Sequence, residues 1–311
     1  MAASRSASLR WQAVAARLKR VPLLRRGYAR FFDRERYPYF ALGRWARAGR
    51  ALRQTTGIHG IKVDAGGVWV CLPNGLELAY LSEIPGAGLE PRLYRGQYEP
   101  LTTKLLGDAL AEGGTLLDVG ANIGWFSLHG ALACDRVTVH AFEPGALVGR
   151  YLADNVRRNG FASRITLVPC AVSDHNGHAY ITDHAIGHAM NHLVDRAAGA
   201  VRRIATLTLD DYACRNRLAD IRLIKCDVEG AERAVLQGAS RLLQTQRPAL
   251  IIEVSPLWCA RFGYRPADLW QLLQAHGYHY EVIGDSGLKA SSGDFESDVG
   301  TGANVYFKPE S

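Results

Sequence analysis

The chain has 311 residues, 48% of them hydrophobic and 22% charged, which is enough to bury a substantial core in one large or two modest domains. The formal net charge of +7 is unevenly placed: Met1 to Gly57 holds fourteen Lys or Arg against two acidic residues, leaving 23 basic against 28 acidic residues in the remainder. No apolar run is long enough to span a bilayer. The six scattered cysteines form no C-x-x-C pair, so they exclude a disulfide framework or zinc ribbon and predict a reducing, cytoplasmic setting.

Ser8 to Arg20 carries Trp11, Val14, Ala15 and Leu18 at helical spacing, with Arg10, Arg17 and Arg20 largely elsewhere on the wheel. This predicts a basic amphipathic helix that Pro22 ends, and Leu24, Tyr28, Phe31 and Phe32 continue the apolar stripe. Three readings are open for it: a cap on the catalytic domain, residues 8–32 lying on an anionic membrane surface, or a targeting peptide or nucleic-acid arm. Ile61 to Val63 and Val68 to Leu72 then read as two strands around Ala65-Gly66-Gly67, and Pro73-Asn74-Gly75 as a turn. The predicted organisation is a basic helical segment at 1–57, a small β-rich module at 58–97 and a main domain at 98–311.

From Tyr98 onward strands and helices alternate. Predicted strands are Leu116 to Val119, Arg136 to Phe142, Ile165 to Val172, Leu223 to Asp227, Leu250 to Val254, Tyr278 to Ile283 and Asn304 to Lys308. Helical patterns at Leu147 to Asn159, Ala231 to Leu243 and Pro266 to His276 fall between them. This order predicts a parallel sheet with helices on both faces. The last two strands are separated by a Gly/Ser-rich loop rather than a helix, which suits an antiparallel final strand.

The most informative stretch is TLLDVGANIGWFSLHGALA, Thr115 to Ala133, followed by VHAFEP, Val139 to Pro144. An apolar strand ends on Asp118, a glycine-rich turn leads into a helix, and the next strand ends on Glu143. Nucleotide-type ligands are held at such strand ends. Gly120 and Gly124 allow unusual dihedrals and close approach to a ligand, and Glu143, 23 residues past Gly120, is spaced to receive ribose hydroxyls. The run is not G-x-G-x-x-G, and a carboxylate at Asp118 would repel a pyrophosphate, which wants a bare helix N-terminus. D-x-G-x-x-x-G suits the cationic amino-acid moiety of S-adenosylmethionine (SAM).

LTLDDY (Leu207 to Tyr212), IRLIKCDVEGAERAVLQGA (Ile221 to Ala239) and PALIIEVSP (Pro248 to Pro256) closely resemble the FkbM family of SAM-dependent methyltransferases. The resemblance runs from Tyr98-Glu99-Pro100 to Asn304-Val305-Tyr306-Phe307, about two-thirds of the chain. It implies a class I, Rossmann-like α/β fold with a seven-stranded, mostly parallel sheet. It also implies methyl transfer to a hydroxyl of a sugar, glycolipid, polysaccharide or polyketide-type metabolite. The implied cofactor site comprises Glu99, Asp118, Gly120, Asn122, Gly124, Glu143 and Pro144, with Ala171 and Asp174 on the segment that presents a backbone edge to adenine. Asp174 could equally cap a turn with Asn176-Gly177.

The acceptor site centres on Asp227-Val228-Glu229-Gly230-Ala231-Glu232. Asp227 ends a buried strand, and Asp227, Glu229 and Glu232 are the candidate catalytic residues. Glutamates near a helix start are also favoured by its dipole, yet three acids within six residues exceed what capping needs. Methyl transfer to oxygen requires in-line positioning and removal of the hydroxyl proton, so Asp227 or Glu229 is expected to orient the hydroxyl and take that proton. Lys225 is expected as a salt-bridge partner; Glu253 is either a second acceptor-side acid or a buried structural one.

Half of the ten histidines fall between His175 and His192. His184, His188 and His192 recur at i, i+4, i+8, a spacing that on a helix could bind zinc, line a substrate loop or lie in solvent; no metal is assigned. Two other function classes compete. One is a nucleic-acid methyltransferase using the Arg-rich segment, although the Asn/Asp-Pro-Pro-aromatic element that holds a flipped base is missing. The other is a non-catalytic SAM-binding scaffold, which would have no chemical need for the acidic cluster.

Overall fold

The computed structural model describes residues 58–81, 91–182, 193–194 and 201–310. The basic segment 1–57 and the run His184/His188/His192 lie outside the described residues. The chain divides into two compact units between Tyr98 and Glu99.

In the first unit, β1 (Gly60–Asp64) and β2 (Gly67–Cys71) pair antiparallel around Ala65-Gly66, and β3 (Glu77–Ala79) joins the far side of β2. Asp64 fixes the hairpin: its Oδ1 accepts from Gly66 N at 2.8 Å and from Trp69 Nε1 at 3.1 Å. The short helix α1 (Pro91–Tyr94) carries Tyr94, whose hydroxyl accepts from Leu81 N at 3.2 Å.

The second unit opens with α2 (Pro100–Ala109), β4 (Gly114–Val119), α3 (Trp125–Ala133), β5 (Val137–Phe142), α4 (Ala146–Arg158) and β6 (Ile165–Val168). The sequence predicts one strand from Ile165 to Val172, but Pro169 cannot donate to a sheet ladder. After the break, β7 (Ala171–Val172) leaves for a second sheet with β8 (Gly177–Thr182), β9 (Leu193–Val194) and β10 (Val201–Leu207), in the order β7-β10-β8-β9. Thereafter come α5 (Leu209–Arg215), β11 (Ile221–Cys226), α6 (Glu232–Gln237), α7 (Ser240–Thr245), β12 (Ala249–Val254), α8 (Pro256–Arg261), α9 (Pro266–Ala275), β13 (Tyr278–Gly284), β14 (Gly287–Ala290), α10 (Phe295–Val299) and β15 (Ala303–Pro309).

The main sheet runs β14-β13-β15-β12-β11-β4-β5-β6. Strands β6, β5, β4, β11 and β12 are parallel neighbours, and β15 lies antiparallel between β12 and β13. This is the topology the resemblance implies, with one correction: the sheet has eight strands, because β14 folds back on β13 as an added edge hairpin. The segment between β13 and β15, expected to be a plain loop, holds that strand and α10. A second correction concerns the helix predicted at Ala231 to Leu243. It is two helices, α6 and α7, broken at Gly238–Ala239, where Gly238 packs so closely that a Cβ would sit 2.1 Å from the Ser173 carbonyl oxygen. Asp210 then caps α7 from a distance, accepting from Arg241 N and Leu242 N at 2.9 Å each.

The two faces of the sheet are covered by different helices. Leu117, Val119, Ile224, Cys226, Leu250 and Ile252 share one core with residues of α5 to α10. On the other face Gly130 of α3 approaches so closely that a Cβ would lie 2.6 Å from Leu116 Cδ2. Because side chains alternate along a strand, Asp118 and Lys225 fall on this α3 face, and they are direct neighbours in the register of β4 and β11. No helix among the described residues is long and apolar enough to cross a membrane.

Candidate active site

The turn after β4 is held by its neighbours on both sides. Gly120 N and Ala121 N donate to the Phe142 carbonyl at 3.0 and 2.9 Å, joining the turn to the end of β5. Gly120 has φ 83, and a Cβ there would lie 1.9 Å from the Asp227 carbonyl oxygen. Gly124 has φ 94, and its Cβ would lie 2.5 Å from Leu152 Cδ1 of α4. Close approach is thus required at both glycines, but by the protein's own backbone and side chains. The turn after β4 and the loop after β11 are locked together at Gly120.

Asp118 is 1% exposed and lies beneath this turn, accepting from Ser127 Oγ of α3 at 2.5 Å. Burial pushes its carboxyl up to about 6, against the pull of Ser127 and Lys225. Asn122 takes left-handed backbone (φ 49) so that its N–H reaches Glu143 Oε2 at 3.0 Å, while Gly145 N donates to Glu143 Oε1 at 2.6 Å. Each carboxylate oxygen of Glu143 is therefore pinned by one backbone N–H and keeps lone pairs for further donors. Burial raises Glu143 to about 7, and Arg202 opposes the rise. Arg202, which sequence reasoning missed, donates from β10 to the Pro144 carbonyl at 2.8 Å, so the second sheet braces this turn.

Ala171 is buried at 8% exposure in β7, paired to Thr206 of β10. Asp174 is exposed and engaged locally, accepting from Ser173 Oγ at 3.1 Å and pairing with His175 Nδ1 at 2.7 Å; the His175 contact holds it below the usual carboxylate range. Asn176 ties this turn to the start of α5, its Oδ1 accepting from Thr208 N at 3.1 Å.

Beyond β11 the acids divide by role. Lys225 is fully buried with its Nζ 3.5 Å from Asp227 Oδ2, and its ammonium lies 5.0 Å from the Phe126 ring centre. Glu99, Glu253 and Asp118 are also near enough to raise its pKa, despite burial that works the other way. Burial alone would push Asp227 up, but Lys225 and a hydrogen bond shared with Glu253 outweigh it and hold Asp227 ionised. Glu253 is driven upward, first by Asp227 and then by burial. The negative charge held on Asp227 thus disfavours ionisation of Glu253. Glu99 has φ 40 and its Oε2 accepts from Asn304 Nδ2 at 2.9 Å. It therefore joins the cluster around Lys225, which also includes Asp118.

Glu232 is corrected most. It is 3% exposed, and its carboxylate accepts from Val228 N at 3.1 Å, Gly230 N at 3.0 Å and Tyr264 hydroxyl at 3.1 Å. It organises the loop after β11 from inside, buried against its own backbone and Tyr264. Replacing it with Ala leaves three buried donors unsatisfied, at about 1–3 kcal/mol each. Urea unfolding of Glu232→Ala should show a loss of at least about 3 kcal/mol, with Tyr264→Phe losing about 1 kcal/mol; equal midpoints for all three proteins would refute this role. Glu229 also takes left-handed backbone (φ 51).

A ribose-spaced carboxylate beside a glycine turn, an excess of carboxylates for a cation, and a Rossmann-like sheet with an inserted antiparallel strand define a class I SAM-dependent methyltransferase. The residues fit that cofactor: Glu143 has free lone pairs for a diol, and Glu229 Oε2 is a buried oxygen with no hydrogen-bond partner among the described residues. Residues 118–280 match the family described as Methyltransferase FkbM domain, and the chain belongs to that family. It is 32% identical over 237 residues to 31-O-demethyl-FK506 methyltransferase FkbM of Streptomyces tacrolimicus, covering 67% of this chain and 87% of the relative. It is 27% identical over 181 residues to hexuronic acid methyltransferase AglP of Haloferax volcanii, covering 58% of this chain and 68% of that protein. A solved FkbM methyltransferase from Methylobacillus flagellatus KT aligns at 22% identity and TM-score 0.41, over 63% of this chain and 44% of its own.

Proposed function

We propose that the protein transfers the methyl group of SAM to a hydroxyl oxygen of a sugar, glycolipid, polysaccharide or polyketide-type metabolite. SAM supplies an electrophilic methyl on a sulfonium. Glu143 would take the ribose hydroxyls, with Asn122, Gly145 and Arg202 fixing its turn, and Pro144 would help shape the adenine slot. The observation that carries the reading is Asp227, held ionised at the end of β11 by buried Lys225 and backed by Glu253. A carboxylate so placed orients an acceptor hydroxyl and takes its proton as oxygen attacks, and the proton passes to solvent after the methylated product leaves. The names of the S. tacrolimicus and H. volcanii relatives, one an O-demethyl substrate and one a hexuronic acid, support oxygen as the acceptor atom.

The test is incubation with SAM labelled in its methyl group and a fractionated extract of the native cell. Label is expected in a glycan, glycolipid or polyketide-type fraction, in a linkage stable to mild base. Label confined to nucleic acid, or SAM bound with no transfer to any fraction, would overturn the proposal.

A further inference from the structure

Among the acids of the site, Glu229 stands apart. Asp227 is matched by Lys225, Glu232 by two backbone N–H groups and Tyr264, and Glu143 by two backbone N–H groups. Glu229 sits in strained left-handed backbone before Gly230 (φ 107), with Oε2 buried and without a hydrogen-bond partner among the described residues. Charged groups face it from Asp227 in its own loop, Glu232 at the start of α6, Glu143 at the end of β5 and the cation Arg261 of α8. Arg261 is itself stacked on the Trp258 ring at 4.4 Å. An ionised carboxylate in this position meets three acids, which outweigh the opposing charge of Arg261. Its place is also specific. Glu143 lies on the ribose side and Asp227 on the acceptor side, and the turn after β4 joins them, bonded to Phe142 at the end of β5 and meeting the Asp227 carbonyl at Gly120. The cofactor group between ribose and acceptor is the sulfonium.

We propose that Glu229 is the charge-matching residue for the methyl donor, protonated while no cation is in the site and deprotonated to solvent when SAM binds, so that the cationic donor is favoured over its neutral product, S-adenosylhomocysteine (SAH). The inference rests on the cofactor placement given under Proposed function. The proton balance is simple: SAM and the Glu229 carboxylic acid give bound SAM, a Glu229 carboxylate and one proton in solvent. SAH brings no sulfonium charge, so the proton stays. Burial first, then Asp227 and Glu232, push Glu229 up to about 8 against Arg261, the direction this role requires.

Isothermal titration in two buffers of different ionisation enthalpy, near neutral pH, counts the protons exchanged on binding. The probes are SAM, SAH and sinefungin, an unreactive analogue whose amine replaces the sulfonium with an ammonium. Wild-type protein is expected to release more protons to SAM and sinefungin than to SAH, by close to one. Glu143 contacts are common to all three ligands and cancel in that difference. In Glu229→Gln the difference should vanish and the preference for SAM over SAH should fall about tenfold, with SAH affinity retained. Equal proton counts for the three ligands in the wild type, or a difference that persists in Glu229→Gln, overturns the inference alone if methyl transfer is observed. Failure of wild-type protein to bind SAM overturns it together with the cofactor placement. The wild-type comparison decides even where Glu229→Gln does not fold.

Discussion

Gly120→Ala is expected to eliminate SAM binding and turnover together and to destabilise the domain by about 2–5 kcal/mol. Two costs combine. A Cβ in left-handed backbone costs about 1–2 kcal/mol, and an added methyl in a filled space costs about 1–3 kcal/mol. The second cost is of the harder kind, because the obstructing atom is the Asp227 carbonyl oxygen, 1.9 Å from where the new methyl would sit, and backbone cannot swing aside. Relief must separate β4 from the loop after β11, which moves the ribose-side turn away from Asp227. Gly124→Ala is the informative contrast: it meets Leu152 Cδ1 at 2.5 Å, the far end of a flexible side chain. It should cost about 1–2 kcal/mol from backbone strain while leaving measurable SAM affinity. Calorimetric SAM binding and urea unfolding of both variants check this; comparable binding in the two would show that the Gly120 contact does not join the site's halves.

Why this glycine matters could not be read from the chain alone. D-x-G-x-x-x-G marks a tight turn and suggests a ligand pressed on it, but the atom pressed on Gly120 belongs to Asp227, in a distant part of the chain. The strands β4, β5, β11 and β12 were legible because each is a short, almost wholly apolar run, as buried parallel strands must be. Lys225 was legible as a salt-bridge partner, but its placement beside Asp118 appears only when β11 is laid beside β4. Strand β14 was not legible because GLKA is largely exposed at the sheet edge and has no apolar alternation to betray it. The acids were found as a cluster, and their division of labour was not: DVEGAE gives three carboxylates at one strand end, and only the fold shows Glu232 turned into its own loop. Glu253 was legible as an acid ending a strand. Its coupling to Asp227 depends on the pairing of β11 with β12, which the sequence does not specify.

Asp227→Asn tests the chemistry and that coupling at once. Loss of a positioned proton acceptor typically costs about 10²–10⁴-fold in rate, and turnover should fall within that range while SAM affinity changes by no more than a few fold. The variant should nevertheless fold. Removing one member of a buried ion pair is usually severe, but here Glu253 is protonated chiefly because Asp227 is charged beside it. With Asn at 227 that repulsion disappears, Glu253 ionises, and Lys225 regains an anionic partner. The pH dependence of stability distinguishes this from a simple deletion. Glu253 is raised from 4.5 to about 9 and Glu229 from 4.5 to about 8, so the folded protein binds more protons than the unfolded chain between those values. Their contribution is fully present below 4.5 and is lost as pH rises through about 8 and 9, so cofactor-free wild-type protein should melt progressively lower from mildly acidic to alkaline pH. In Asp227→Asn the causes that raise both glutamates are weakened, and the decline should flatten. Melting temperatures of the two proteins across that range, with initial rates on the labelled acceptor, give both readouts. Wild-type turnover in the variant would remove Asp227 as the proton acceptor, and an undiminished alkaline decline would show that Asp227 is not what raises Glu253.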